Sequence, residues 1–429
     1  MKSTDLEDKS ILILGLGKEG LSTLNFLSKH FPNKKFAVAD KKMDLEIPLM
    51  ISEKYFGDDY LEALDNYQVI IKSPGVPSFR KLHDLKKKGI AITSSTQIFF
   101  NNFKGQIIGV TGTKGKSTTS SLIYQVLKDA GLDVYLLGNI GTVSLDLLDN
   151  TNKDSIVVFE LSSFQLEDLD YSPHIAVITN IYPEHLDRYN SFEDYKKAKL
   201  NITKFQTESD YLIYEDSLKD EILDTKATKL PISEGKIDFI NLDKLLLKGE
   251  ANLKNIQTAV LVAKILNIDQ AKVKTAVEGF PPLPHRLEFV TEKKGIRFYN
   301  DSLSTIPQTT IAALQALGED VQTLIIGGFD RGVDYSILGP AILNSGVENL
   351  ILFPTTGEKI WKSLASHMES GNVDIKRFDV NSMEEAVKIA FKVTESGKVV
   401  LLSPASTSFN MFKNYEDRGN QFKKYISEQ

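Results

Sequence analysis

Ten short segments of this chain are apolar at consecutive positions, and longer stretches with helical spacing lie between them. The segments are residues 10–17 (SILILGLG), 35–40 (KFAVAD), 67–75 (YQVIIKSPG), 106–113 (QIIGVTGT), 155–163 (SIVVFELSS), 174–180 (HIAVITN), 295–302 (GIRFYNDS), 321–328 (VQTLIIGG), 348–354 (ENLILFP) and 398–406 (KVVLLSPAS). A strand with one face in water alternates apolar and polar residues. A run that is apolar throughout suits a parallel sheet covered by helices on both faces. Intervening stretches such as GLSTLNFLSK and STTSSLIYQVLKDAG repeat apolar residues at helical spacing, and the second closes at Gly131, a helix C-cap residue. Strand, helix and strand in repeated order predict an α/β chain with several doubly wound sheets.

The chain has 429 residues, which at roughly 150 per domain suggests about three domains. Two stretches look like boundaries. STQIFFNNFKGQ (95–106) precedes a glycine-rich loop, and FPPLPHRLEFVTEKKG (280–295) gathers Pro281, Pro282 and Pro284, which disfavour regular helix or strand. The expected domains are therefore 1–98, 99–292 and 293–429. The chain has no cysteine, which excludes a disulfide framework, a thiolate zinc site and a cysteine nucleophile, and fits a reducing compartment. With 51 Lys+Arg against 57 Asp+Glu, a net charge of −6 and no basic tract, a dedicated nucleic-acid binder is not expected. The polar start MKSTDLEDKS leads into only a short apolar run, so neither a signal peptide nor a membrane span is expected. These features together predict a soluble, cytoplasmic protein.

GVTGTKGKST (109–118) leaves an apolar run and opens a helical pattern. Glycines there let backbone N–H groups close around phosphate, and the helix N-terminus adds a favourable dipole. Lys116 would reach the β- and γ-phosphates, and the hydroxyl of Ser117 or Thr118 would hold Mg²⁺. The general phosphate-loop spacing asks for glycine at position 110, where Val110 stands with Gly109 one residue earlier. A turn that only joins strand to helix is the plain alternative.

Glu160 closes the run SIVVFE, at the strand edge where α/β sheets bind ligands, and offers hard oxygen suited to Mg²⁺. His185 follows the next run, and Lys199 lies fourteen residues further on. Each alone has a structural alternative: a helix cap, a surface histidine, a solvated cation. GLGKEG (15–20) reads as G-x-G-x-x-G between strand and helix, with Asp40 about 20 residues beyond. That is the dinucleotide fingerprint, with Asp40 on a ribose hydroxyl, but the same geometry holds any diphosphate.

TGTKGKST resembles the ATP loop of the Mur ligases and the related folylpolyglutamate synthetases, and the order Lys116, Glu160, His185, Lys199 matches the Mur ligases residue by residue. The resemblance extends over nearly the whole chain. It implies a Rossmann-like N-terminal domain that binds UDP, a central P-loop ATPase-type domain with a mostly parallel sheet, and a Rossmann-like C-terminal domain that binds an amino acid. ATP would be held by Gly112, Thr113, Gly115, Lys116, Ser117 and Thr118. Further contacts would come from Asn255 in NLKN (252–255), Arg286 in LPHRLE and Asp301 in NDS; Ala251 stands where a histidine often precedes the asparagine motif. Ser117, Glu160, His185 and Lys199 would hold Mg²⁺, with Lys199 carbamylated into an anionic ligand. Lys116, His185 and Lys199 are the implied catalytic residues. The UDP end of the substrate would meet Gly15, Leu16, Gly17, Asp40, the loop Ser73-Pro74-Gly75 and Asn139 of GNIG.

SPASTSFNMFKNYEDRG (403–419) resembles the C-terminal motif of the family's glutamate-adding members. By that resemblance Ser408, Tyr415, Thr305 and Arg331 hold glutamate. The guanidinium fork of Arg331 suits a carboxylate. Four positions depart from the common pattern: Leu303 stands where many relatives carry Lys, Ile306 for Asn, Asn410 for Asp and Arg331 for Lys. They surround the acceptor, so they bear on the choice between D- and L-glutamate. The implied reaction is ATP-dependent addition of glutamate, D-glutamate first, to UDP-N-acetylmuramoyl-L-alanine. It would pass through an acyl phosphate and a tetrahedral intermediate in cytoplasmic peptidoglycan precursor synthesis, carried out by a monomer. The competing readings are another ligase of the superfamily, a nicotinamide-dependent oxidoreductase suggested by GLGKEG alone, and a nucleotide-binding regulator lacking the metal ligands.

Overall fold

The structure, a computed structural model, describes residues 2–43, 51–77, 79–138, 141–185, 188–222, 224–368 and 375–429. They form two compact units, residues 1–240 with 254–277 and residues 241–253 with 278–429. The first unit holds two sheets. One contains β1 (Ile11–Leu14), β2 (Phe36–Asp40), β3 (Ile51–Phe56), β4 (Val69–Lys72) and β5 (Ala91–Thr93), in the order β3-β2-β1-β4-β5. The other contains β6 (Gln106–Thr111), β7 (Val134–Gly138), β8 (Ile156–Glu160), β9 (Ile175–Ile178), β10 (Tyr211–Tyr214) and β11 (Thr228–Pro231), in the order β11-β10-β9-β6-β8-β7. All pairings in both sheets are parallel.

The continuous apolar runs have the expected cause. Every residue of β1 is buried, but Ile11 and Ile13 pack into one core while Leu12 and Leu14 pack into another on the opposite face. A strand covered on both sides gains roughly 1.5–3 kcal/mol from each large apolar side chain, so polar residues are excluded from both faces. The segment 95–102, read from sequence as a boundary, is a helix (Ser95–Asn102) with Ile98 and Phe99 fully buried. Its Phe99 ring meets Phe159 of β8 edge-on at 5.7 Å.

The second unit holds β12 (Glu288–Lys293), β13 (Ile296–Asn300), β14 (Val321–Gly327), β15 (Asn349–Phe353), β16 (Lys376–Asp379) and β17 (Val399–Leu402), in the order β12-β13-β17-β14-β15-β16. Only β12 runs antiparallel to its neighbour. This corrects the expectation that the proline-rich stretch lacks regular structure throughout. The prolines end at Pro284, and Glu288–Lys293 forms an edge strand of half-buried residues with Phe289 and Glu292 exposed.

In each sheet the chain reverses its direction of spread around one strand: β1 lies between β2 and β4, β6 between β8 and β9, and β14 between β15 and β17. Loops leaving such a strand diverge from their neighbours and open a crevice at the carboxyl edge. The glycine loops after β1 and β6 leave from these edges.

Candidate active site

The loop after β6 turns on two glycines with positive φ, Gly112 at 146° and Gly115 at 86°. A Cβ at Gly112 would lie 2.0 Å from Thr179 Oγ1, so no other residue fits there. The end of β9 fixes the loop. Asn180 O accepts the Thr113 N–H at 2.8 Å, Asn180 Oδ1 accepts the Lys114 N–H at 2.8 Å, and Thr179 Oγ1 donates to Lys114 O at 2.6 Å. The helix Lys116–Asp129 starts immediately after Gly115, which puts its N-terminal N–H groups at the loop. Asn255 supports the loop from behind: its Oδ1 accepts Thr119 Oγ1 at 3.0 Å and would lie 2.9 Å from a Cβ on Gly115.

Three lysines surround this loop. Lys116 Nζ donates to Gly112 O at 2.9 Å and Thr113 O at 3.0 Å, and Lys199 Nζ donates to the same Gly112 O at 2.7 Å. Lys199 is only 2% exposed. Burial, reinforced by the charge of Lys116, pushes its amine well below the ordinary lysine range. Lys114 pairs with Glu184 at 2.6 Å. Burial alone would raise the Glu184 carboxyl, but Lys114, His185 and Lys116 outweigh it and hold the group below the usual range.

Glu160 ends β8 and is buried. Gly138 of β7 packs on it so closely that a Cβ there would lie 2.3 Å from Glu160 O. His185 has φ of 57°, and its ring lies 5.1 Å from Phe164 and 6.1 Å from Tyr195. The Tyr195 hydroxyl in turn sits 3.0 Å from Thr113 Oγ1. Thr118 is buried and Ser117 half-buried.

The loop after β1 is built differently. Gly15 has φ of 90° and its N–H donates to Ala39 O at 2.8 Å, while Ser73 Oγ donates to Gly15 O at 2.6 Å. Both Asp40 oxygens accept backbone N–H groups, Leu16 at 2.6 Å and Lys42 at 2.8 Å. A Cβ at Gly20 would lie 2.1 Å from Gly15 O, whereas one at Gly17 would meet nothing within 4 Å. The last glycine is thus required for packing, and the middle one leaves open space where a ligand backbone could approach.

A cavity of about 850 Å³ joins the two loops. Gly15, Leu16, Gly17, Asp40, Ser73, Pro74 and Gly75 line it, as do Lys116, Glu184, His185 and Lys199. Ten residues singled out from sequence thus share one wall, and Glu184 joins them. Gly112, Thr113, Gly115, Ser117, Thr118, Glu160 and Asn255 form the phosphate loop and its support instead. Asn139 lies outside the described residues.

The second unit carries Arg286 in the loop before β12, and Asp301, Thr305, Arg331, Ser408 and Tyr415 in loops and a helix start that follow its strands. Asp301 is buried, accepts the Leu287 N–H at 3.0 Å and Ser403 Oγ at 2.8 Å, and burial pushes its carboxyl up to about 6. Arg331 is exposed with its guanidinium 5.3 Å over the Phe409 ring, and Phe409 is itself exposed. Arg418 is fully buried. It donates to Ser302 Oγ at 2.9 Å, Ser302 O at 2.7 Å and Ser406 O at 2.9 Å, which binds the loops after β13 and β17 together beside Ser408. Among the four departures, Asn410 has a clear use: its Nδ2 donates to Pro354 O at 2.6 Å.

Glu184, Lys114, Asn180 and Arg418 escaped the reading of the sequence. Asn180 carried a usable signal, since it closes an apolar run just as Glu160 does.

Among the described residues no group of three or more His, Asp or Glu side chains is placed to hold a metal by itself. The donors near the phosphate loop still fit Mg²⁺: a buried carboxylate, loop hydroxyls and room for phosphate oxygens and water are how this ion is commonly bound. Among the described residues no helix is long and apolar enough to cross a membrane.

Three family models match the chain: a MurD-like Mur ligase N-terminal domain at residues 9–94, the Mur ligase middle domain at 110–237 and the Mur ligase glutamate ligase domain at 285–406. The chain is 33% identical over 458 residues to the UDP-N-acetylmuramoylalanine–D-glutamate ligase of Caldicellulosiruptor bescii, covering 99% of this chain and 98% of the relative. It is 34% identical over 451 residues to the enzyme of the same name from Clostridium tetani, covering 98% and 96%. In fold it is similar to the UDP-N-acetylmuramate–alanine ligase MurC of Thermotoga maritima, with a TM-score of 0.61 at 20% identity over 98% of this chain and 100% of that one. It is likewise similar to MurF ligase of the same organism in complex with ADP, with a TM-score of 0.61 at 18% identity over 99% and 97%.

Proposed function

The chain belongs to the Mur ligase family, and we propose that it joins D-glutamate to UDP-N-acetylmuramoyl-L-alanine at the expense of ATP, in peptidoglycan precursor synthesis. The observation that carries this reading is the single cavity reaching from Gly15–Gly17 to Lys116, His185 and Lys199. A UDP-sugar bearing a short peptide needs such a length of wall: a diphosphate cradle at one end and phosphoryl chemistry at the other. A hydride-transfer enzyme would have no use for the second loop.

In the proposed reaction the alanine carboxylate attacks the γ-phosphorus of ATP in line, ADP leaves and an acyl phosphate forms. The glutamate amine adds to its carbonyl carbon, the tetrahedral intermediate collapses with loss of phosphate, and the amine proton is released as the amide forms. The backbone of Gly112, Thr113 and Gly115 cradles ATP with Lys116, Ser117 and Thr118, and Asn255, Arg286 and Asp301 contact its nucleoside. Lys116 offsets charge on the transferring phosphoryl group.

Mg²⁺ would be held by Ser117, Glu160, His185 and a carbamylated Lys199, and when bound it supplies positive charge to the same oxygens. The depressed amine of Lys199 supports the carbamate, because only a neutral amine adds to CO₂, with loss of one proton. His185 orients substrate or metal. Gly15, Leu16, Gly17, Asp40, Ser73, Pro74, Gly75 and Asn139 hold the UDP end, and Thr305, Arg331, Ser408 and Tyr415 hold glutamate. On this reading the working domains are 1–98, 99–292 and 293–429, and the enzyme acts as a cytoplasmic monomer. Mass spectrometry of the product tests the reaction: the UDP-substrate should gain one glutamyl residue in the presence of ATP. Transfer of a different amino acid, or of none, would overturn it.

A further inference from the structure

The helix Lys18–His30, which follows the UDP-side loop, turns one face toward the ATP-side half of its unit. Ser22 Oγ donates to Asp146 Oδ1 at 2.6 Å, Phe26 is buried in the shared core, and Lys29 pairs with Asp149 at 2.6 Å. Glu19 continues this face at the loop end, at the i, i+3, i+7 and i+10 spacing of one helical stripe. Its carboxylate accepts the hydroxyl of Ser95, which is 2% exposed, and the Nε2 amide of Gln165, which is 5% exposed, at 3.0 Å.

Gln165 is not free to turn away. Its Oε1 accepts the Ser162 N–H at 2.9 Å in a capping box, so its amide N–H groups are committed to the Glu19 side. Ser162 and Gln165 lie just past Glu160. Glu19 also lines the 850 Å³ cavity. The helix dipole favours a carboxylate in the first turn, but beside a bound diphosphate its charge would repel the ligand, which asks for a reason.

We propose that Glu19 is a positioning residue: by bridging the helix of the UDP loop to Gln165 and Ser95, it sets the separation between the diphosphate cradle and the phosphoryl-transfer residues. The assignment rests on the ligase reading above. A substrate that reaches both ends of one cavity is sensitive to that separation, while ATP, whose assigned contacts include none on the UDP loop, is not. Burial raises the Glu19 carboxyl above its usual range, against the pull of the Ser95 and Gln165 hydrogen bonds. Gln at this position can still accept from Gln165 and donate to Ser95, whereas Ala leaves both buried groups without their partner.

Steady-state kinetics of E19A and E19Q test this. E19A should raise KM for the UDP-substrate roughly tenfold with KM for ATP within about twofold of the parent, and E19Q should restore most of the loss. An unchanged KM for the UDP-substrate in E19A, an equal rise for ATP, or E19Q as impaired as E19A would overturn the assignment. A parent protein that turned nothing over would sink the ligase reading instead. In that case calorimetric binding of UDP still decides on Glu19: weaker binding to E19A than to E19Q supports it, and equal binding to both contradicts it.

Discussion

Two glycine-rich turns in the first unit share a plan and differ in what surrounds them. Each joins a central parallel strand to a helix and turns on glycine at positive φ, Gly15 in the first and Gly112 and Gly115 in the second. The loop after β1 is fastened by carboxylates, with Asp40 taking the N–H groups of Leu16 and Lys42, and Glu19 reaching Ser95 and Gln165. The loop after β6 is fastened by the amide of Asn180 and the hydroxyl of Thr179, and lysines 114, 116 and 199 stand around it. Glycine spacing therefore decides the shape of such a turn, and the charges around it decide the ligand. The first turn reads as a nicotinamide-cofactor motif only while it is considered alone. The second departs from the general phosphate-loop spacing at Val110, yet in Lys114 and Lys116 it has the cations that a triphosphate needs.

The strongest way to break this comparison is to remove a cation from the second turn. Lys116→Ala should lower kcat/KM about a thousandfold, the scale of a lost electrostatic contact to the transferring group, and leave UDP affinity unchanged by calorimetry. Equal loss at both ends would mean that the two turns do not divide the work.

Lys199→Met should cost at least about a hundredfold in kcat and abolish any carbamate signal in ¹³C NMR under labelled CO₂. It also carries a pH signature. The folded-state amine lies well below its ordinary value, so between the two values the unfolded chain binds more protons and stability rises with pH. The parent should therefore gain more stability than K199M between pH 7 and 9 in urea unfolding. Identical slopes would mean that Lys199 is not depressed.

The glycines of the first turn separate packing from binding. Gly20→Ala, whose Cβ would strike Gly15 O at 2.1 Å, should destabilise the fold by about 2 kcal/mol or more. Gly17→Ala meets no protein atom within 4 Å, so its melting temperature should match the parent's while KM for the UDP-substrate rises about tenfold. If Gly17→Ala left that KM alone, the open space beside Gly17 would not be where the diphosphate lies.

The interior of the sheets was legible because burial on both faces writes itself into consecutive residues. Ten of the strands with neighbours on both sides were found as apolar runs, and β10 was not. The six edge strands β3, β5, β7, β11, β12 and β16 all escaped. Edge strands are half-solvated, as β3 shows with Glu53 and Lys54 on its exposed stretch, and their composition merges with that of loops.

The site followed the same logic. Lys116, Glu160 and His185 stood out because each follows an apolar run closely, and Lys199 was reached through its place in the family order. Glu19 and Gln165 are 146 positions apart, and nothing local announces that a carboxylate in a glycine loop will meet an amide so far along the chain. Arg418 was hidden for a related reason: its hydrogen-bond partners are two backbone carbonyls and a hydroxyl, and the one carboxylate whose charge reaches it, Asp301, lies far back along the chain.

ADP release measured with UDP-N-acetylmuramoyl-L-alanine and each glutamate enantiomer tests the central claim most directly. The account predicts ADP release that requires the UDP-substrate and proceeds with D-glutamate in preference to L-glutamate. ADP release that ignores the UDP-substrate, or its absence with both enantiomers, would contradict it.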